Sequence, residues 1–297
     1  MKLSTTLSAY IGSYSKTMPS LDCYLAAIKD CARMGFEVLD FPFIGGSSTF
    51  LNDGEDYKTP VLECKKYAES LGCRFRYAHV PFGYPAADDT EGWALFDRKM
   101  RRSLEGCALL GIEWTAIHPY DMAAPLYDAK AAHERSINHL TPYAKLAKEY
   151  GFGIAVENTV DRVLVPYRRY CSTVENLCLV IDDLRSIVGD KTVGACLDTG
   201  HANASGLDHY AAVHVLGERL KMLHVNDNNG LADDHIPLFC GTVNWLNLVK
   251  ALKEVGYPGD FNFEIKFGGV PTAAPLAKDA LVKYCMEASK YLISTVE

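Results

Sequence analysis

The run Gly151-Phe152-Gly153-Ile154-Ala155-Val156-Glu157-Asn158-Thr159 decides the fold. It opens on a glycine placed where a helical pattern over 129–150 ends. A short apolar stretch follows, of the kind found in a strand buried on both faces. The stretch stops on a carboxylate, and a second helical pattern begins near 173. Helix, glycine, buried strand and polar strand end make one unit, and that unit recurs in both directions along the chain.

Eight such units can be counted. The strand candidates are Lys2–Tyr10, Phe36–Phe43, Cys73–Val80, Trp114–Tyr120, Phe152–Thr159, Val193–Asp198, Leu220–Asp227 and Asp260–Phe267. Helical patterns lie between them at 20–34, 57–71, 93–110, 129–150, 173–188, 208–217, 244–255 and 274–293. Leu21, Leu25, Ile28 and Ala32 show the spacing of three and four that one helix stripe requires. Gly35, Gly72, Gly111, Gly151, Gly189 and Gly256 each sit near a helix end, where a left-handed residue stops the helix. Ser20, Thr173 and Asn244 are N-cap candidates. Alternation of strand and helix throughout points to a parallel sheet. Eight units in 297 residues point to an α/β fold of the closed (β/α)8 TIM-barrel type. No linker divides residues 1–297, so a single domain is expected. The longest loops, Ile44–Tyr57 and Pro81–Gly92, follow strands two and three, on the face where barrels build their sites.

Composition narrows the function classes. Hydrophobic residues are 48 % and charged residues 23 %, an ordinary globular balance. No apolar run is long enough to span a bilayer. Met1–Ser8 lacks the apolar core and cleavage site of a secretory signal, so a cytoplasmic protein without membrane attachment is expected. The net charge of -7 and the absence of a clustered basic footprint argue against a nucleic-acid partner. The group Arg98, Lys99, Arg101 and Arg102 lies in a helical pattern and reads as a solvated face. The ten cysteines form no C-x-x-C pair and read as buried reduced thiols. No glycine-rich nucleotide loop follows any strand.

The strand ends carry the chemistry. Strands three to eight end on His79, His118, Glu157, Asp198, His224 and Glu264. In a barrel these residues converge on one mouth. Several carboxylates there repel one another and resist desolvation. A divalent cation removes that cost, and it accepts this mixture of oxygen and imidazole donors. Of the nine histidines, 79, 118, 201, 224 and 235 belong to the mouth; 133, 139, 209 and 214 lie in helical patterns and read as surface or hydrogen-bonded helix residues.

Four motifs carry a resemblance: Val156-Glu157-Asn158-Thr159, Leu197-Asp198-Thr199-Gly200-His201, Leu223-His224-Val225-Asn226-Asp227, and Asp234-His235 followed by Gly241-Thr242-Val243-Asn244-Trp245. Over nearly its whole length the chain resembles the sugar phosphate isomerase/epimerase superfamily with the xylose-isomerase-like barrel, which also includes endonuclease IV. The resemblance implies one divalent metal ion (Mn, Zn, Co or Mg) held by Glu157, Asp198, His224 and Glu264. It implies a sugar, polyol or keto-sugar substrate contacted by His79, His118, His201, Asp233, His235 and Lys266. Glu157 and Glu264 would act as the catalytic pair, passing a proton through a metal-stabilised enediolate. An isomerase or epimerase is therefore expected, as a possible homodimer or homotetramer. Phe43, Phe82, Tyr84 and Tyr120 are candidate sugar-stacking rings, and Trp245 a helix anchor. No Arg follows His224 closely, a departure from ketohexose 3-epimerases, and no basic cluster marks a phosphate pocket; an unphosphorylated substrate is expected. Three other readings stand beside this one. They are a dehydratase or lyase acting on a keto-inositol or 3-keto sugar, a trinuclear-zinc phosphodiesterase of the endonuclease IV type, and a non-catalytic metal-binding barrel. The phosphodiesterase would use His79, His118, Glu157, Asp198, His201, His224, Asp233, His235 and Glu264 together.

Overall fold

A computed structural model describes residues 1–15, 18–44, 56–120, 128–161, 169–189, 191–267 and 275–296. Eight parallel strands form its centre: β1 Leu3–Thr6, β2 Val38–Pro42, β3 Arg74–His79, β4 Trp114–Ile117, β5 Gly153–Glu157, β6 Val193–Asp198, β7 Leu220–His224 and β8 Phe261–Phe263. Each pairs with its neighbours in sequence, and β1 also pairs with β8, giving the order β7-β6-β5-β4-β3-β2-β1-β8. The barrel closes between β7 and β8 through a single bridge, Val225 to Phe263. Its two hydrogen bonds run from Val225 N to Asn262 O at 2.8 Å and from Glu264 N to Val225 O at 3.0 Å. This is the TIM barrel that the recurring unit predicts.

The helices are α1 Ser8–Tyr14, α2 Ser20–Met34, α3 Lys58–Ser70, α4 Thr90–Leu110, α5 Ala129–Tyr150, α6 Val174–Val188, α7 Thr199–Ala204, α8 His209–Leu216, α9 Trp245–Glu254 and α10 Pro275–Ser294. All six glycines that punctuate the sequence have positive φ. In α9, Trp245, Leu248, Val249 and Leu252 are buried while Leu246 and Lys250 face out. Each such aliphatic side chain stabilises the fold by about 1.5–3 kcal/mol. Asn244 caps α9, accepting from Asn247 N at 3.2 Å, whereas Thr173 stands at the N-cap of α6 without a side-chain bond and Ser20 is the first residue of α2 rather than its cap. Among the described residues no helix is long and apolar enough to cross a membrane.

Two helices were not expected. The first strand ends at Thr6, not Tyr10, because Leu7, Tyr10 and Ile11 repeat at helical spacing and bury that face in α1. Asp198 turns the chain after β6 by accepting from His201 N at 2.7 Å, which starts α7. β6 matches its expected bounds, and the remaining strands are shorter than their apolar runs, since buried residues such as Val225 and Ile265 continue past the ladders into the mouth. Most of the long loop after β2 falls on 45–55, outside the described residues.

Inside the barrel, Val38, Tyr77, Ala116, Ala155, Cys196 and Met222 pack into one buried layer. Side chains on a strand repeat every second residue. The next inward positions are therefore Asp40, His79, His118, Glu157, Asp198 and His224. An apolar interior layer thus supports a ring of ionisable groups.

Candidate metal centre

Glu157, Asp198 and His224 are the last residues of β5, β6 and β7, and Glu264 directly follows β8. One ligand-capable atom from each lies within 4.8 Å of those of the other three. His79 ends β3, His118 follows β4, His201 sits in α7, and Asp233 and His235 come from the loop before α9. His79, His118, His201, Asp233, His235 and Lys266 all line one cavity of about 640 Å³, together with Glu157 and Glu264. Asp198 and His224 do not line it and are 0 % and 1 % exposed.

The imidazole orientations define what the cavity can hold. His79 Nδ1 is 2.8 Å from Val80 O, His201 Nδ1 is 2.8 Å from Asn158 O, and His235 Nδ1 is 2.7 Å from Glu264 O. A carbonyl only accepts, so each Nδ1 carries the proton. A neutral ring then turns a bare Nε2 lone pair toward a carboxylate. His79 and His118 Nε2 stand 3.2 and 3.3 Å from Glu157 Oε2. His201 and His235 Nε2 stand 3.5 and 2.9 Å from Asp233 Oδ1. Despite these short separations, Glu157 Oε2 and Asp233 Oδ1 are buried and make no hydrogen bond of proper geometry. Lone pairs facing lone pairs need a proton or a cation between them. This donor set fits a divalent cation.

The charges follow from these contacts. Burial opposes ionisation of Glu157, but the His224 and His118 imidazoles outweigh it and hold the carboxyl well below its usual range. Glu264 goes the other way, pushed up by burial and by Glu157 and Asp198 against the pull of His224 and His235. Burial lowers the basicity of His201, yet Asp198 and Asp233 raise it to about 10. His235 is raised to about 9, with Asp233 again overcoming burial. The same two imidazoles overcome burial at Asp233 and hold it far below the carboxylate range. Glu157 outweighs burial at His79 and raises it, whereas burial lowers His118. The mouth recruits protons where nothing else supplies positive charge.

Neighbouring polar groups hold the ring in place. Asn226 Nδ2 donates to Asp198 Oδ2 at 2.8 Å, and Asp198 N donates to Asn158 Oδ1 at 2.7 Å. Gly200 allows this approach, since a Cβ there would meet Asn226 Oδ1 at 1.9 Å. The loop bearing Asp233 and His235 is folded around buried Asp227. Its carboxylate accepts from Asn228 N, Gly241 N, Val243 N and Trp245 Nε1, at 2.9 to 3.1 Å. Trp245 is thus the anchor expected of it. His235 adopts φ 51, in the left-handed region, pinned by its bond to Glu264 O and by Lys266 N donating to His235 O.

Some expectations need correction. Phe43 is no stacking surface; it is buried against Phe41 and Gly106. Phe82 and Tyr84 line the cavity, and Phe82 stacks on His118 with centroids 4.5 Å apart. Tyr120 instead joins Tyr84, Trp93 and His139 in an aromatic cluster. His139 in that cluster is neither surface-exposed nor fully hydrogen-bonded: its Nε2 is buried without a partner. His133 and His214 pair with Asp183 and Glu254, and His209 with Thr199 O. Nine cysteines are buried, and Cys240 is exposed. Sequence reasoning missed Arg169, which lines the cavity with Lys266. Nothing in its own segment marks it, because it reaches the mouth through the loop after β5. It also missed Asp40, whose strand stays apolar beyond it.

Comparison with known proteins agrees with this fold. An uncharacterised protein of Methanocaldococcus jannaschii is 27 % identical over 72 % of this chain and 72 % of its own length. A D-psicose 3-epimerase of Enterocloster bolteae is 24 % identical over 77 % of this chain and 72 % of its own. Among solved structures, a D-allulose 3-epimerase from Methylomonas sp. superposes with a TM-score of 0.76, covering 98 % of both chains at 18 % identity. The IOLI protein with a bound zinc atom gives 0.75, covering 100 % of this chain and 99 % of its own at 18 % identity. Residues 28–284 match the family described as the xylose isomerase-like TIM barrel, and the chain belongs to that family.

Proposed function

We propose that this chain is a divalent-metal-dependent isomerase or epimerase of a small polyhydroxylated ketone, a sugar or polyol derivative. The observation that carries the reading is the set of imidazole nitrogens aimed at partnerless carboxylate oxygens. Glu157, Asp198, His224 and Glu264 would hold the ion. A bound divalent ion supplies Lewis acidity toward a carbonyl and its neighbouring hydroxyl. Glu157 and Glu264 both face the cavity, so one can take the proton from the carbon beside the carbonyl while the other returns one. Return to the opposite face inverts the centre; return to the adjacent carbon isomerises it. His79, His118, His201, Asp233 and His235 offer donors and acceptors to hydroxyl groups around the same space. Phe82, half exposed over the His118 ring, gives a sugar ring an apolar face to rest on. The epimerase relatives and the zinc-containing structural neighbour support this choice.

One further observation favours a second reading. His79, His118 and Glu157 form a compact ligand group of their own, and Asp233 Oδ1 lies between His201 and His235. Three ions could therefore be held, as a trinuclear phosphodiesterase requires. The acidic net charge of -7 places this reading second for a polyanionic substrate. Metal analysis of the purified protein separates the two: one equivalent supports the isomerase, and three equivalents of zinc overturn it. Carbon-bound deuterium uptake from D2O by ketoses such as D-allulose or D-fructose tests the proton transfer itself.

A further inference from the structure

One buried carboxylate of the barrel interior has no part in the centre just described. Asp40 is on β2, 1 % exposed, two residues beyond the inward-facing Val38. The β2–β3 register slips there, with Leu39 opposite Phe75 and Asp40 opposite Tyr77. Asp40 Oδ2 accepts from Asn262 Nδ2 at 2.8 Å, and Asn262 Oδ1 accepts from Ser4 Oγ at 2.9 Å. Asp40 Oδ1 is buried with no hydrogen-bond partner. Desolvating a carboxylate and leaving one oxygen unpaired is costly unless a donor is close by.

The imidazole nearest this carboxylate is His224. Its Nδ1 lies 3.2 Å from both Glu157 Oε1 and Glu264 Oε2. Its Nε2 lies 3.8 Å from Asp40 Oδ2, an ion-pair separation rather than a hydrogen bond. The Cys196 thiol also lies beside the ring, but it is a much weaker acceptor than a carboxylate. An imidazole that offers one nitrogen to a metal keeps its proton on the other, and that N–H commonly goes to a carboxylate, which sets tautomer and ring orientation. On the proposed ligand set, the metal-facing nitrogen of His224 is Nδ1.

We propose that Asp40 is the positioning residue for His224. Held by Asn262 and Ser4, it accepts the Nε2 proton and keeps the Nδ1 lone pair turned toward Glu157 and Glu264. Asp40 touches neither substrate nor the reacting atoms. The proposal rests on His224 being a metal ligand, and the test separates the two ideas.

The full-length protein, stripped with chelator, is titrated with zinc against a chromophoric competitor. Asp40→Ala is expected to weaken the first equivalent by about 10- to 100-fold. Asp40→Asn, whose amide oxygen still accepts, is expected to recover most of that loss. In zinc-loaded wild-type protein labelled with 15N-histidine, long-range 1H–15N spectra should show His224 as the Nε2–H form. Wild-type zinc affinity in Asp40→Ala overturns the role of Asp40 while leaving the metal centre intact. Failure of wild type to bind zinc overturns the metal centre itself. Should the alanine variant not fold, the wild-type spectrum still decides: an Nδ1–H tautomer overturns the proposal.

Discussion

The two ends of this barrel handle buried charge in opposite ways. At the N-terminal floor, Asp260 sits below the inner layer, and Arg76 Nη1 meets its Oδ2 at 2.8 Å. Arg76 Nε also meets Glu113 at 2.8 Å, and Arg74 completes the group at 3.1 Å. Tyr77 OH donates to Asp260 Oδ2 and accepts from Asp260 N. Both carboxylates of this group, Asp260 and Glu113, meet a guanidinium. At the mouth, the carboxylates of Glu157, Asp233 and Glu264 face imidazoles instead. Among the described residues the only lysine paired with any of them is Lys266, 4.0 Å from Asp233. The floor carboxylates meet fixed cations, whereas Glu157 Oε2 and Asp233 Oδ1 at the mouth are buried without a hydrogen-bond partner. The distinction between stability and chemistry in a barrel is visible in which carboxylates lack a fixed cation.

The largest effect that would break this contrast is at the mouth. Glu264→Gln is expected to lower deuterium exchange into substrate by about 10²- to 10⁴-fold while thermal unfolding is little changed. Glu157→Gln should lower exchange by a similar factor and also lose bound metal, as read by elemental analysis, so that its stability falls to that of the metal-stripped protein. Full activity in either variant would remove the proposed catalytic pair. At the floor, Arg76→Met leaves Asp260 buried and uncompensated, which should cost about 3 kcal/mol in denaturant unfolding. Zinc affinity should stay at the wild-type value; a change there would show that the two ends are coupled. Stripping divalent ions should lower stability by about 3 kcal/mol relative to protein at a hundred times the dissociation constant. Arg76→Met should show that same metal-dependent shift.

The smallest test concerns acid sensitivity. Burial among aromatic rings lowers His139 to about 4. The folded ring stays neutral, and the unfolded chain takes up a proton first as pH falls. Its contribution is therefore complete above about pH 6.5 and is lost as pH drops toward 4, by at most about 3 kcal/mol. His139→Phe should flatten the stability curve between those values, leaving whatever acid sensitivity belongs to the mouth. An unchanged curve would show that His139 is not neutral in the fold.

Much of the fold and of the mouth was legible in the sequence, for a physical reason. Helix-ending glycines and doubly buried strands are local signals, so β6 and α5 match their expected bounds. The strand-end residues obey a period of two, so Glu157, Asp198 and His224 could be placed before any coordinates. Asp40 obeys the same period, but Phe41, Pro42 and Phe43 keep the strand apolar past it. A rule that looks for the end of an apolar run passes over it. Arg169 depends on the path of a loop, which no periodicity encodes. His139 shares its helical pattern with ordinary surface positions, and only the rings supplied by two other segments reveal its burial. The floor network was equally hidden, because Arg76, Glu113 and Asp260 meet across distant strands.

The seam between β7 and β8 gives the mouth a second meaning. Seven strand pairs are zipped by ladders, and the eighth is held by one bridge at Val225. His224 and Glu264 flank that bridge on either side. An ion shared by the two would act as a rivet across the weakest joint of the cylinder. Loading the ion would then tighten the wall as well as arm the site. The amides of Val225 and Glu264 would report that tightening through slower hydrogen exchange.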